Sequence, residues 1–381
     1  MVPKLRFNET KNTTYSTITL GDAVQSISSG RSKDCVENGN YKFYGSTGII
    51  GFRSTADYEG TAILIARVGA NAGSLYMVNG KYNVSDNTLI VSANTQFINY
   101  LYFYLSAINL NKLVYGSGQP LITGGMLKNL KIEMPGTKEQ TKIADFLSSV
   151  DEKITLLNKQ YDLLCRYKKG MMQKVFSQEL RFKNENGKDF PEWKYSVLGN
   201  VTHLITNGLV TDQNDQGKGY PVSRIETISE RKINLSKVGY VDTSKDISNY
   251  RLNYGDMLFS NINSISHIGK IAYFDINEEL YHGMNLLRIV IDNNNSSLFF
   301  YHQLTAESKK KYFESRANQA VSQASINQSE LKRTPIWIPC IDEQTKIANF
   351  LSAIDDKIAA KKSELDKLKT WKQGLLQQMF V

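Results

Sequence analysis

The side chains of this 381-residue sequence that could do covalent chemistry are few and poorly spaced for it. His203, His267, His282 and His302 lack the spacing of a metal set. Cys35, Cys165 and Cys340 stand far apart with no CxxC pair, which fits reduced thiols better than a disulfide framework. Glu192-Trp193-Lys194 has the ExK form of a nuclease centre but no upstream Pro-Asp, so the tripeptide has no context for catalysis. Neither GxGxxG nor GxxxxGK[ST] occurs, and the seven prolines exclude the Asn-Pro-Pro and Asp-Pro-Pro-Tyr motifs of methyl transfer. The acidic pairs Asp151-Glu152 and Asp355-Asp356 lie in helical sequence and are expected on solvated faces. No catalytic residue, metal or cofactor is therefore expected.

Polar loops remain. Arginine and lysine suit the edge of guanine, and asparagine and glutamine that of adenine. In the first half of the chain the residues of this kind are Lys42, Tyr44, Ser46, Arg53, Arg67, Asn71 and Gln119. In the second half they are Arg224, Asn261, Asn263, Ser264, His267, Lys270, Arg316, Gln319 and Gln323. Taken singly, each is better explained as a solvated loop residue.

What positions these loops is written twice. EQTKIADFLSSVDEKI begins at Glu139 and EQTKIANFLSAIDDKI at Glu343, with twelve of sixteen positions identical at an offset of 204. The register holds forward through Tyr167-Lys168 and Trp371-Lys372, Gly170 and Gly374, Gln173 and Gln377, to Phe176 and Phe380. Backward it pairs Pro135 with Pro339, and LRF at Leu5 recurs at Leu180. Apolar residues at Ile143, Leu147, Val150, Ile154, Leu157, Tyr161 and Leu164 make a heptad seam. The second copy keeps the phase, with Lys361 and Lys372 as interruptions. Pro135 and Pro339 mark the helix starts, and Thr137 with Gln140 forms a capping box that Ile341 breaks in the second copy. Gly170 and Gly374 are expected at a close backbone approach or a helix end. Two unrelated core helices would also show this periodicity, but identity peaks along the helices and fades between them. A shared frame carrying unlike attachments explains that better.

The first helix leaves one divergent region and ends at the other, so a paired second helix must run back, antiparallel. KVFSQELRF is continuous in mid-chain, whereas the same passage is split into QMFV and VPKLRF at the two ends. The chain reads as a circle opened at one of two equivalent joints, which predicts that Met1 and Val381 lie close. The divergent regions share a grammar: an apolar strand, a Gly/Asn-rich loop, a second strand, Asn87 or Asn285 before a third, then a short aromatic helix. The expected class is α+β, two mixed, mainly β domains joined by two long antiparallel helices with internal pseudo-two-fold symmetry. The expected division is 1–136, a central helix 137–178, 179–340, and a final helix 341–381.

Net charge is +9, which permits a polyanionic partner, but each long helix region carries seven basic and five acidic residues. No apolar run approaches the roughly 18 residues of a membrane span, and no signal peptide opens the chain.

On the doubled EQTKIA[DN]FLS…D[ED]KI phrase and its helix, with YKFYGSTGIIGF at Tyr41 and GSGQPLIT at Gly116, the sequence resembles the specificity subunit of type I restriction–modification systems. The likeness spans the whole chain. It implies two target-recognition domains on conserved spacer helices and a non-catalytic, cytoplasmic, nucleoid-associated reader of double-stranded DNA. It also implies two copies of a modification (methyltransferase) subunit, which methylate one adenine in each half of a split target, and restriction (translocase/nuclease) subunits. The short tetrapeptide repeats with which some members set spacing are not visible. The alternative is a structural coiled-coil adaptor without DNA readout.

Overall fold

The computed structural model describes residues 3–10, 14–113, 120–265, 267–319 and 324–380. Met1, Val381, Gln119 and Gln323 lie outside them. The chain divides into two compact units, one of residues 1–160 and 361–381 and the other of 161–360. The boundaries fall inside the two long helices, Thr137–Phe176 and Ile341–Met379.

The first unit is built on an antiparallel sheet in the order Ser26–Ser29, Thr88–Ser92, Ala62–Ala66, Leu75–Val78. Every residue of Ala62–Ala66 is buried, which explains a continuous apolar run where a half-exposed strand would alternate. A second sheet runs Gly48–Arg53, Tyr41–Gly45, Lys81–Val84, Tyr58–Glu59. The aromatic helix Thr95–Ile108 is capped by Asn94, whose Oδ1 accepts from the Phe97 N–H at 2.8 Å. It ends at Asn109, which takes the left-handed conformation at φ 52°. Tyr100 and Tyr104 of this helix meet Phe380, with ring centroids 5.6 and 5.7 Å apart. The core joins Ile63, Ile65, Leu89 and Val91 to Ile143, Leu147 and Val150 of the first long helix and to Leu375 and Met379 of the second.

The second unit repeats that sheet with other residues, in the order Thr202–Asn207, Leu286–Ile291, Met257–Ser260, Ile271–Tyr273. Its aromatic helix Ser297–Leu304 is capped by Ser296, which accepts from the Phe299 N–H at 3.2 Å. The skeleton expected from the shared grammar is present in both units although the side chains differ. Here Ile347, Leu351 and Ile354 of the second long helix pack with Met172, Val175 and Phe299.

Within each unit the long helices run antiparallel, held by reciprocal ion pairs. Asp151 meets Lys372 at 2.5 Å in the first unit, and Asp355 meets Lys168 at 2.6 Å in the second. These are the same two positions exchanged by the 204 offset, as an isologous contact requires. Asp151 and Asp355 are therefore cross-helix partners, 34% and 37% exposed, while Glu152 and Asp356 sit on solvated faces as expected. Lys372 does not break the seam: its ammonium reaches Asp151 and lies 5.4 Å from the Phe103 ring centroid.

Two local expectations are corrected. The Gln140 N–H goes to the Gly136 carbonyl at 3.1 Å, and the Gln140 amide donates to the Pro135 carbonyl at 2.8 Å. Gln344 donates to Pro339 in the same way at 3.0 Å. Both helices thus start on a glutamine–proline clasp that does not need the threonine of a capping box. Gly170 and Gly374 lie inside their helices, and a Cβ on either would meet nothing within 4 Å. They mark neither a close approach within the unit nor a helix end.

The divided joint has the geometry of the continuous one. Leu180 N–H donates to the Lys174 carbonyl at 3.0 Å, and Leu5 N–H donates to the Gln378 carbonyl at 2.9 Å. Lys174 and Gln378 are related by the 204 offset, and Leu5 and Leu180 are the same residue of the LRF repeat. Next to them Arg6 clamps Glu139 through two bonds of 2.9 and 2.6 Å, while Arg181 clamps Glu343 through two of 3.0 Å. Both glutamates are fully buried, and bidentate pairing is what makes that tolerable. Trp193 donates its indole N–H to Glu343 at 2.9 Å, so the ExK-like tripeptide is part of a structural clamp.

Candidate nucleic-acid interface

In the first unit the polar candidates fall into two groups. Lys42 is exposed on Tyr41–Gly45, and Tyr44 is half-buried edge-on to Tyr82 at 6.4 Å, where burial raises its phenol pKa. The Ser46 carbonyl accepts from the Tyr76 hydroxyl at a long 3.5 Å. Gly48, at φ 96°, is where the hairpin turns beside the Tyr76 ring. Arg53 sits at the far end of the hairpin and spends its charge on Asp57 at 2.5 Å.

The second group surrounds the loop that follows the buried strand. Arg67 donates to Ser29 Oγ at 3.1 Å and to the Asp86 carbonyl at 3.4 Å. Its Nε is buried without a partner among the described residues, which leaves the terminal nitrogens to face a base. Asn71 is exposed in the turn Gly69–Asn71. Gly69 N–H donates to Pro120 at 3.0 Å and Ile122 N–H to Arg67 at 2.8 Å, which docks the chain after residue 119 against this loop.

The second unit gathers its candidates more tightly. The Asn263 amide donates to Ser260 Oγ at 3.2 Å and its Oδ1 accepts from Ser264 N–H at 2.8 Å. Ser264 Oγ lies 3.1 Å from His267 Nδ1. Ile262–Asn263 pairs with Ala324–Ser325, which pairs with Asn318–Gln319. Asn261 is buried with its Oδ1 unpartnered among the described residues, and its carbonyl accepts from Ile326 N–H at 2.9 Å. Since Ile122 and Ile326 differ by the 204 offset, Arg67 and Asn261 stand at equivalent positions, one per unit.

The head groups of three further candidates are engaged elsewhere. Arg224 is held by Gln213 and Asp215, both at 2.6 Å, and lies so close to Gly239 that a Cβ there would sit 2.3 Å from its Nε. The Lys270 ammonium donates to the Ser229 carbonyl at 2.7 Å, and burial, with Arg231 and Lys310 nearby, lowers its pKa. Arg316 lies 5.6 Å from the Tyr312 ring centroid and 3.9 Å from Glu330.

What sequence reasoning passed over is the clamp set that fixes these surfaces: Arg6, Glu139, Arg181, Glu343 and Trp193. Its signal was available, because both the arginine and the glutamate recur in the two copies. Among the described residues no group of histidine, cysteine and carboxylate could hold a metal, and no helix is long and apolar enough to cross a membrane.

The family model described as "Type I restriction modification DNA specificity domain" matches residues 12–165 and 191–370. A putative type I restriction enzyme MjaX specificity subunit from Methanocaldococcus jannaschii is 40% identical over 210 residues, which are 54% of this chain and 49% of that protein. The chain therefore spans about half the length of that relative. The MjaVIII specificity subunit of the same organism is 26% identical over 82% of this chain and 77% of its own length. The fold is similar to the crystal structure of the S subunit of a type I restriction-modification system from M. genitalium, with a TM-score of 0.69 and 16% identity over 100% of this chain and 99% of that one.

Proposed function

Since this chain belongs to the type I restriction modification DNA specificity family, we propose that it is the non-catalytic DNA reader of such a system. Each recognition domain takes one half of a bipartite, asymmetric duplex target, and the subunit directs methyltransferase and restriction subunits to it. The observation that carries this reading is a doubled frame with unlike attachments. Clamp, clasp, joint and cross-helix ion pair all occur twice in matching positions. The loops fixed by that frame differ between the units: Arg67 and Asn261 stand at equivalent positions, although Gln119 and Gln323 agree at the 204 offset. Repeated surfaces suit two copies of one partner, and the unlike loops suit two different half-sites. On this reading Lys42, Tyr44, Ser46, Arg67, Asn71 and Gln119 face one half-site. Asn261, Asn263, Ser264, His267, Gln319 and Gln323 face the other, and the complex works in the cytoplasm at the nucleoid.

The test is to titrate the purified chain with its modification subunit and to footprint the complex on duplex DNA. Two modification subunits per chain and a footprint of two unlike, separated half-sites are expected. Saturation at one modification subunit, or a single continuous footprint, would count against the reading.

A further inference from the structure

The second unit has a cleft of about 710 Å³ walled by the end of the first long helix, the turn at 230–232, the Ser297–Leu304 helix and the start of Glu307–Arg316. That volume lies within the ~300–1,000 Å³ usual for small-molecule sites. Met172, Phe176, Tyr301 and Ala306 supply its apolar lining. Three carboxylates also reach it, and each is already matched by a lysine: Asp355 by Lys168 at 2.6 Å, Glu307 by Lys169 at 3.5 Å, and Glu230 by Lys237 at 3.0 Å.

That pairing leaves Arg231, Lys232 and Lys311 on the cleft wall with no ion pair among the described residues. Arg231 takes the left-handed conformation at φ 59°, which is costly for a side chain with a Cβ. The turn is held there by the Tyr301 hydroxyl, which donates to the Arg231 carbonyl at 3.4 Å, and by the Arg231 N–H, which donates to Ile228 at 2.9 Å. Beneath the turn, Lys270 adds a partly desolvated cation bound to the Ser229 carbonyl. Uncompensated cations beside an aromatic, thioether-lined recess match a molecule that joins a planar ring to phosphate.

We propose that this cleft binds a nucleoside polyphosphate, with the phosphates on Arg231, Lys232 and Lys311 and the ring against Met172, Phe176 and Tyr301. None of the residues assigned to DNA lines the cleft, and the proposal does not depend on that assignment. A duplex backbone would satisfy the cations but would leave the apolar recess empty.

The test is calorimetric titration of the full chain with ATP, with inorganic triphosphate and adenosine as partial ligands and duplex DNA as competitor. One ATP per chain is expected, and each partial ligand should bind more weakly than ATP. The double variant Arg231→Glu, Lys311→Glu should lose at least about tenfold in affinity, because two charge-assisted bonds are replaced by repulsion. Both side chains are exposed and have no ion pair among the described residues, so its melting temperature should stay that of the parent. Absence of saturable ATP binding at millimolar concentration would overturn the proposal, as would undiminished binding by the variant. Equal affinity for inorganic triphosphate would reduce the site to an anion patch, and displacement of ATP by duplex DNA would make it part of the DNA track. Either result refutes a nucleotide site.

Discussion

Two kinds of buried residue set how this molecule responds to mutation and to acid. Glu139 and Glu343 are each satisfied by a bidentate arginine, so truncating either leaves a guanidinium with little water to turn to. Glu139→Ala and Glu343→Ala should each cost about 3–5 kcal/mol in denaturant unfolding. For Glu343→Ala the loss should appear in Trp193 fluorescence, since that indole donates to the same carboxylate. Losses below about 1 kcal/mol would mean that the clamps are dispensable. The second kind is histidine. Burial depresses His282 to about 4 and His302 to about 3, with the Arg288 and Lys168 cations adding to the effect. The unfolded chain takes up protons near the ordinary histidine pKa, while the fold refuses them until pH 3–4. Stability should therefore fall as pH drops from 7 and level off only below those folded values. His282 and His302 both lie within the second unit, so acid should open that unit first. His302→Gln should flatten the dependence of the unfolding midpoint on pH between 7 and 4.5. An unchanged slope would show that His302 already titrates in the fold.

The long helices were plain in the sequence because a heptad seam and a twelve-in-sixteen repeat are local signals. Their fine structure was not. The capping rule assumes a threonine that leads the helix, whereas here Gly136 and the proline carbonyl before it receive the donors. The ion pairs Asp151–Lys372 and Asp355–Lys168 join residues about two hundred positions apart, and a carboxylate on a helix face looks solvated until its partner helix is placed. For the loop candidates, residue type marks a side chain able to read a base but not which partners its head group finds in the fold. Arg53, Arg224 and Lys270 meet partners in the fold, and Asn263, Ser264 and His267 bond one another. The matched Gly170 and Gly374 suggest a close approach or a helix end that the fold does not show. With nothing within 4 Å of a Cβ at either place, Gly170→Ala and Gly374→Ala should each stabilise the chain, by up to about 1 kcal/mol. Thermal unfolding of the single variants checks this. Destabilisation would show that the helix backbone needs the glycine, and loss of modification-subunit binding alone would place a partner against it.

Across the whole molecule, the decisive feature is how each divergent region is tied to the frame. In the first unit the chain enters along Ser16–Thr19 and leaves along Lys131–Met134, with Thr19 opposite Lys131. In the second it enters along Lys194–Val197 and leaves along Pro335–Ile338, with Val197 opposite Pro335. Each reader therefore begins and ends at one two-stranded ribbon, and the frame's clamps, clasps and ion pairs join residues outside the readers, with Asn295 and Ser296 adding bonds to the Gln344 clasp. That is a physical reason for a doubled phrase flanking dissimilar sequence. Replacing residues 198–334 with the corresponding region of a relative should leave the long helices and their partner binding intact. On the proposed reading it should change one half of the methylated target and preserve the other, because Lys42, Arg67 and Asn71 are untouched. Arg67→Ala, made in the same swapped chain, should then affect only the preserved half. If its terminal nitrogens contact guanine, the loss is about 1–3 kcal/mol of discrimination at one position. If they contact phosphate, binding weakens across all sequences and the salt slope falls by about one. Methylome sequencing of cells carrying the parent, the swap and the double change distinguishes these outcomes. A swap that altered both half-sites together would mean that the units do not read independently, and the repeated frame would then need a purpose other than holding two readers.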